Sequence, residues 1–233
     1  MSSRAQTIIR GYMKRTGYAI ARASEWGSPK NEPNLIGDRD VEWAWIGAKM
    51  PFQAGRVLDL GPASSTTPLI ASYNATEVVG FDLTPEPTTF TAPNLRYVQG
   101  DILLDPIPDP PYDTIINCST TEHIGLSGRY NNQEEPDGDL RAMDLLRRAM
   151  RGTGSVMLLT IPVGRDGVYR PYHRVYGAQR LPKILSGYAV VEEAYFAKIA
   201  KVNVWQRVAR DVALEVRGAS NFYAIGLFVL KPA

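Results

Sequence analysis

The chain has one cysteine, Cys118, and two histidines, His123 and His173, among its 233 residues. A single cysteine excludes an intramolecular disulfide framework and a thiolate metal cluster, and two histidines exclude a multi-histidine centre, so no metal site is expected. No apolar run approaches the roughly 20 residues that a bilayer crossing needs, and the N-terminus lacks a secretory apolar core. Net charge is nearly absent too: 26 Lys and Arg against 24 Asp and Glu leave +2. That balance carries no clear nucleic-acid signature. A soluble, cytoplasmic protein is the expectation.

What is present is enough for a full-sized core, since 44% of the residues are hydrophobic, and the length suits one domain with extensions. The first 30 residues carry Arg4, Arg10, Lys14, Arg15, Arg22 and Lys30 against Glu25 alone, with Ile8, Ile9, Tyr12 and Met13 at helical spacing. Three readings are open there: a basic amphipathic helix covering a domain edge, a peripheral contact with an anionic membrane, or a targeting peptide. A loop at 27–34 follows. Residues 1–50 are therefore expected to form an N-terminal helical cap and linker, and 51–233 the main domain, with an insertion at 198–221.

A helix is expected at 40–50, with Trp43 and Ile46 inward, ending before Pro51. Strand signals recur at 56–60, 77–81, 95–98, 113–118 and 155–161 with crossovers between them, which predicts a doubly wound, mostly parallel α/β sheet. The apolar stripe Ala142, Leu145, Leu146, Ala149 and Met150 predicts a helix over 139–151, capped by Asp137 or Asp139 and ended by Gly152. Another helix at 176–186, a strand at 188–197 and a last strand within 222–230 complete the pattern.

Chemistry concentrates at strand ends. Arg56-Val57-Leu58-Asp59-Leu60-Gly61-Pro62-Ala63-Ser64-Ser65 is a strand running into a turn of small residues, where Gly61 permits close backbone approach. It lacks the G-x-G-x-x-G spacing of dinucleotide sites, and Pro62 removes a donor, which disfavours a nicotinamide cofactor. Asp82 ends the second strand, where a carboxylate can accept from both ribose hydroxyls, the alternative being a surface-turn aspartate; Asp101-Ile102 ends the third, matching an adenine amine and ring face, the alternative being a loop-capping aspartate. Asp59 is expected to support the turn.

The fourth strand opens into Ser119-Thr120-Thr121-Glu122-His123. His123 is a candidate general base with Glu122 orienting it, the alternative being a histidine that only packs and bonds a loop. After the fifth strand, Arg170, His173 and Arg174 suit an anionic or polyhydroxylated substrate, with His173 as a reserve base; a structural loop cluster is an equal alternative. Cys118, in an apolar strand, reads as core.

Val57-Leu58-Asp59-Leu60-Gly61 with Asp82 and Asp101 resembles the ordered motifs of class I methyltransferases dependent on S-adenosylmethionine (SAM), over most of 52–197. More narrowly, Glu122-His123-Ile124-Gly125-Leu126-Ser127-Gly128-Arg129-Tyr130, Asp137-Gly138-Asp139-Leu140, Ile161-Pro162-Val163-Gly164 and His173-Arg174-Val175-Tyr176-Gly177 resemble an uncharacterised family typified by an EHIGLGRYG segment, which Ser127 interrupts here. The resemblance implies a Rossmann-like fold with an antiparallel last strand and SAM as cofactor. It makes Asp59, Gly61, Ala63, Ser64, Ser65, Asp82, Leu83, Asp101, Ile102 and Ser119 the expected cofactor-binding set. The expected activity is methylation of a small polar acceptor, a sugar or glycan hydroxyl. A non-catalytic SAM sensor and a protein or nucleic-acid methyltransferase are the alternatives.

Overall fold

Five apolar runs form parallel strands: β1 (Gly55–Leu60), β2 (Ala75–Asp82), β3 (Leu95–Gln99), β4 (Thr114–Cys118) and β5 (Val156–Val163). The computed structural model describes residues 37–62, 66–84, 90–128, 130, 133–199, 204–220 and 222–233. The expected basic N-terminal helix and the 27–34 loop lie outside the described residues, as do Ala63, Ser64 and Ser65 of the first turn and positions 129, 200–203 and 221.

Three further strands, β8 (Tyr188–Ile199), β9 (Val204–Val208) and β10 (Ala224–Pro232), extend the sheet, giving the order β3-β2-β1-β4-β5-β10-β8-β9. The last strand, β10, runs antiparallel between β5 and β8, and β9 lies antiparallel on the outer edge of β8. The doubly wound α/β fold with an antiparallel last strand is thus as the sequence predicts.

The period of two along each strand explains how both faces are covered. Leu58, Leu60, Val79, Phe81, Ile115, Met157 and Leu159 pack on one face with Ala142, Met143 and Leu146 of α3 (Gly138–Ala149). Their neighbours Val57, Val78, Ile116 and Leu158 pack on the other with Ile46 of α1 (Asp38–Lys49), Met50 and Ala71 of α2 (Thr66–Ser72). Burying one such side chain stabilises by roughly 1.5–3 kcal/mol, so each helix is fixed by its stripe rather than by its ends. Indeed Asp137 stands at the start of α3 without making a side-chain cap. Its neighbour Asp139 is drawn inside instead.

Two elements differ from expectation. The helix expected at 176–186 shrinks to α4 (Leu181–Ile184). The chain before it forms a hairpin of β6 (Gly167–Tyr169) and β7 (His173–Val175), and Asp166 then takes the amides of Gly177, Gln179 and Arg180. Those amides are held by a side chain and leave little room for earlier helical turns. The segment expected as an insertion at 198–221 contains β9, which pairs antiparallel with Tyr195 to Ile199 of β8, and α5 (Arg210–Leu214).

Since β1 to β5 are parallel, their carboxyl ends share one edge of the sheet. β10 starts at that edge, with Ala224 opposite Val163.

Candidate functional site

A cleft of about 310 Å³ runs along this edge from the ends of β2 and β3 to the start of β10. Gly61, at the exit of β1, forms part of its floor with φ +67°, and a Cβ there would stand 2.4 Å from the Thr120 side chain. Only glycine lets the β1 exit lie against the residue whose hydroxyl donates to the Leu60 carbonyl at 2.9 Å. Beside it, Asp82, Leu83, Asp101 and Ile102 line one end of the cleft. Asp82 Oδ1 accepts from both the amide and the hydroxyl of Thr84 at 2.9 Å, and Asp101 Oδ1 accepts from the Leu103 amide at 2.9 Å. Both carboxylates are therefore oriented by their own turns.

At the β4 end, Ser119 holds an unusual φ of +53° for a residue with a side chain. Strain of this kind collects at functional sites. The Ser119 hydroxyl donates to Glu122 Oε1 at 2.6 Å. Glu122 is only 1% exposed, and burial pushes its carboxyl up to about 7, with the Ser119 hydroxyl opposing. In the same 3₁₀ turn, Thr121–His123, His123 Nε2 lies 3.7 Å from Glu122 Oε1 while Nδ1 meets the Tyr172 carbonyl. A carbonyl can only accept, so Nδ1 carries the proton and Nε2 is the basic side of the ring.

The turn is held from beneath. Arg174, 1% exposed, donates through Nη1 to the carbonyls of Ile124 at 2.6 Å and Glu122 at 3.4 Å, and through Nη2 to those of Glu135 and Pro136 at 3.3 and 3.2 Å. Its charge is balanced by the buried Asp139, which also accepts from Arg180 Nε at 2.9 Å and the Tyr176 hydroxyl at 3.0 Å. Gly125, at φ +75°, completes the turn: a Cβ there would run into the Glu135 carbonyl.

The far wall comes from residues that the sequence did not mark. Asp38 and Arg39, in the first turn of α1, line the cleft, and Tyr223, just before β10, donates its hydroxyl to Asp38 Oδ2 at 2.9 Å. Arg39 Nη1 donates to Glu42 Oε2 at 2.6 Å, and the Thr160 hydroxyl donates to Glu42 Oε1 at 2.7 Å. Burial raises the Glu42 carboxyl to about 7 against the pull of Arg39, and burial and Asp38 push the Tyr223 hydroxyl up. A signal for α1 was there: Asp38-Arg39-Asp40 places three charges directly ahead of an apolar stripe. Nothing local marked Tyr223.

Across that wall the rings of Tyr130, His123, His173 and Tyr223 follow one another at centroid separations of 5.3, 6.4 and 5.1 Å. All three pairs meet edge to face.

The architecture has solved counterparts. The N-methyltransferase NodS from Bradyrhizobium japonicum WM9, in complex with S-adenosyl-L-homocysteine (SAH), superposes with a TM-score of 0.55 at 14% identity, covering 84% of this chain and 86% of that one. A SAM-dependent methyltransferase from Archaeoglobus fulgidus gives 0.57 at 16% identity, covering 84% and 95%. A TehB-like SAM-dependent methyltransferase from Corynebacterium glutamicum gives 0.53 at 16% identity, covering 96% and 100%. The chain shares the Rossmann-like fold of these methyltransferases. By sequence, residues 110–211 match the model of a family described as Caenorhabditis protein of unknown function, DUF268. No curated protein matches the chain in sequence.

Within this fold, the expected residues divide clearly. Gly61, Asp82, Leu83, Asp101, Ile102, Ser119, Glu122, His123 and His173 all line the one cleft. Asp59 sits below it, fully buried, and burial pushes its carboxyl up to about 8, with the charge of Asp82 adding to the effect. The Thr67 hydroxyl opposes that rise, yet neither Asp59 oxygen has a partner in hydrogen-bond geometry among the described residues. Arg174 is not a substrate-facing cation, because its guanidinium is consumed by four carbonyls and Asp139 inside the protein. Arg170 is exposed and binds Glu134 Oε2 at 2.6 Å, which, led by that bond, lowers the Glu134 carboxyl to about 2. It clips the β6–β7 hairpin to the segment after Tyr130 instead of pointing into the cleft. Cys118 is buried, and burial pushes its thiol up, as expected of a core position.

Proposed function

We propose that the protein is a SAM-dependent methyltransferase that O-methylates a small polar acceptor, a hydroxyl of a sugar or glycan. The observation that carries this reading is the pair Asp82 and Asp101 in one cleft beside the Gly61 turn, within a fold shared with NodS bound to SAH. The narrower kinship with the EHIGLGRYG-type family is part of the proposal, as is peripheral membrane contact through the basic N-terminal residues.

The donor set fits SAM. Asp82, held by Thr84 through Oδ1, suits the ribose hydroxyls, and Asp101 with Ile102 suits the adenine amine and ring. Gly61 and Ser119 border the space left for the methionine portion, with Ala63, Ser64 and Ser65 assigned to its carboxyl end and Asp59 supporting the turn from below. When bound, SAM supplies an electrophilic methyl group on a sulfonium, for in-line displacement by the acceptor oxygen.

The protein's own work is alignment and proton removal. His123 takes the hydroxyl proton at Nε2, its tautomer fixed by the Tyr172 carbonyl. Glu122, 3.7 Å away, stabilises the resulting imidazolium. His173, next in the ring row, is the reserve base.

Calorimetry tests the cofactor assignment. SAM and SAH should bind the wild-type protein, and Asp82→Ala should weaken both by ten-fold or more, in line with about 1.5–3 kcal/mol for hydrogen bonds to a charged group. Absence of binding, or identical affinity in the variant, overturns the assignment.

A further inference from the structure

Between Gly61 and β10 the cleft has a chemistry distinct from its nucleoside end. Its surface is the row of rings Tyr130, His123, His173 and Tyr223. Acidic side chains outnumber Lys and Arg among its described lining residues. Asp38 and Glu122 belong to the lining, and Glu42 stands directly behind. Arg39 is the only Lys or Arg among the described lining residues, and its Nη1 is already bound to Glu42 at 2.6 Å.

We propose that this end of the cleft selects an uncharged hydroxylated ring and rejects the same ring carrying a phosphate or carboxylate. The inference rests on the methyltransferase reading and specifies its acceptor class. A row of ring edges and faces offers broad apolar contact to the C–H faces of a sugar, and hydroxyls can donate to Asp38 or share the Tyr223 hydroxyl. An anion has the opposite experience. To enter, it must shed water beside the Asp38 carboxylate and the buried Glu122, and Arg39, the one Lys or Arg among the described lining residues, already gives Nη1 to Glu42 at 2.6 Å. Unpaired like charges in a partly dry site are costly to bring together. Selection therefore comes from repulsion as much as from contact.

The experiment begins with SAH calorimetry on the purified full chain, so that failure of the cofactor reading is recognised by itself. On SAH-competent protein, methyl glycosides of common hexoses are then compared with their uronic acid and 6-phosphate counterparts. Two readouts are used: transfer of labelled methyl from SAM, and calorimetric binding to the SAH-loaded protein. The expected result is that at least one neutral glycoside binds and accepts label, with its anionic counterparts at least ten-fold weaker in both. Asp38→Asn, which keeps an acceptor for Tyr223 but removes a charge, should narrow that gap. Equal or tighter binding of an anionic member overturns the proposal. So does a panel in which nothing binds although SAH does, or an unchanged gap in Asp38→Asn.

Discussion

Arg174 donates to the Ile124 carbonyl at 2.6 Å from inside the protein, and the same guanidinium reaches the Glu122 carbonyl. The turn that carries Glu122 and His123 thus has its geometry set by a residue that never meets the cleft. Arg174→Ala should destabilise the fold by about 3–5 kcal/mol, the usual cost of breaking a buried ion pair. Arg174→Lys should recover only part of this, because one ammonium cannot span four carbonyls. Chemical denaturation measures both. A substrate-binding Arg174 would instead leave stability untouched.

Gly61→Ala should weaken both the fold and SAH binding. A left-handed φ costs an L-residue roughly 1–2 kcal/mol, and the new methyl adds a collision with Thr120. Combining it with Thr120→Ala should restore part of the stability while the φ cost persists. Full recovery in the double variant would show that contact alone mattered.

Stability without ligand should fall as pH rises from about 5 to 8. Burial raises Asp59 to about 8 and Glu42 and Glu122 to about 7. In the unfolded chain these groups lose their protons near pH 4, so across this window the folded state binds more protons and the slope is negative. Each group contributes at most about 1.4 kcal/mol per pH unit. Asp59→Asn should flatten the upper part of the curve. Denaturation curves at pH 5.5 and 8 that coincide for the wild type would contradict this.

With an acceptor in hand, His123→Ala should lower turnover by roughly 10²–10⁴-fold, the range for a positioned general base, while SAH affinity is kept. Glu122→Gln should be milder and should move the acidic limb of the rate profile to lower pH, because the imidazolium loses its neighbouring carboxylate. Full turnover in His123→Ala rules out its role as base.

Much of the Asp82–Asp101 end of the cleft was legible in the sequence. Asp82 and Asp101 each follow an apolar run with a period of two, and parallel strands bring such ends to a common edge. The opposite end was less legible. Arg170 and Arg174 sit four residues apart in a polar stretch and look alike in sequence, yet one is exposed on Glu134 and the other buried on four carbonyls. The β6–β7 hairpin makes that difference. It pairs Gly167 with Val175 and so turns Arg174 inward.

By itself, the sequence determined the strand–turn–acid order around Gly61, the alternation that covers both faces of the sheet, and a cysteine and histidine count too small for a thiolate cluster. These are local or compositional properties, settled by neighbours within a few residues. Only the tertiary structure decided which polar groups face the cleft. Asp38 and Tyr223 meet across 185 positions of chain, and His123 and His173 share one wall because β4 and β5 are adjacent in the sheet. Whether a charged side chain becomes a ligand group or a buried strut depends on the carbonyls and carboxylates that folding brings around it, and those come from distant parts of the chain.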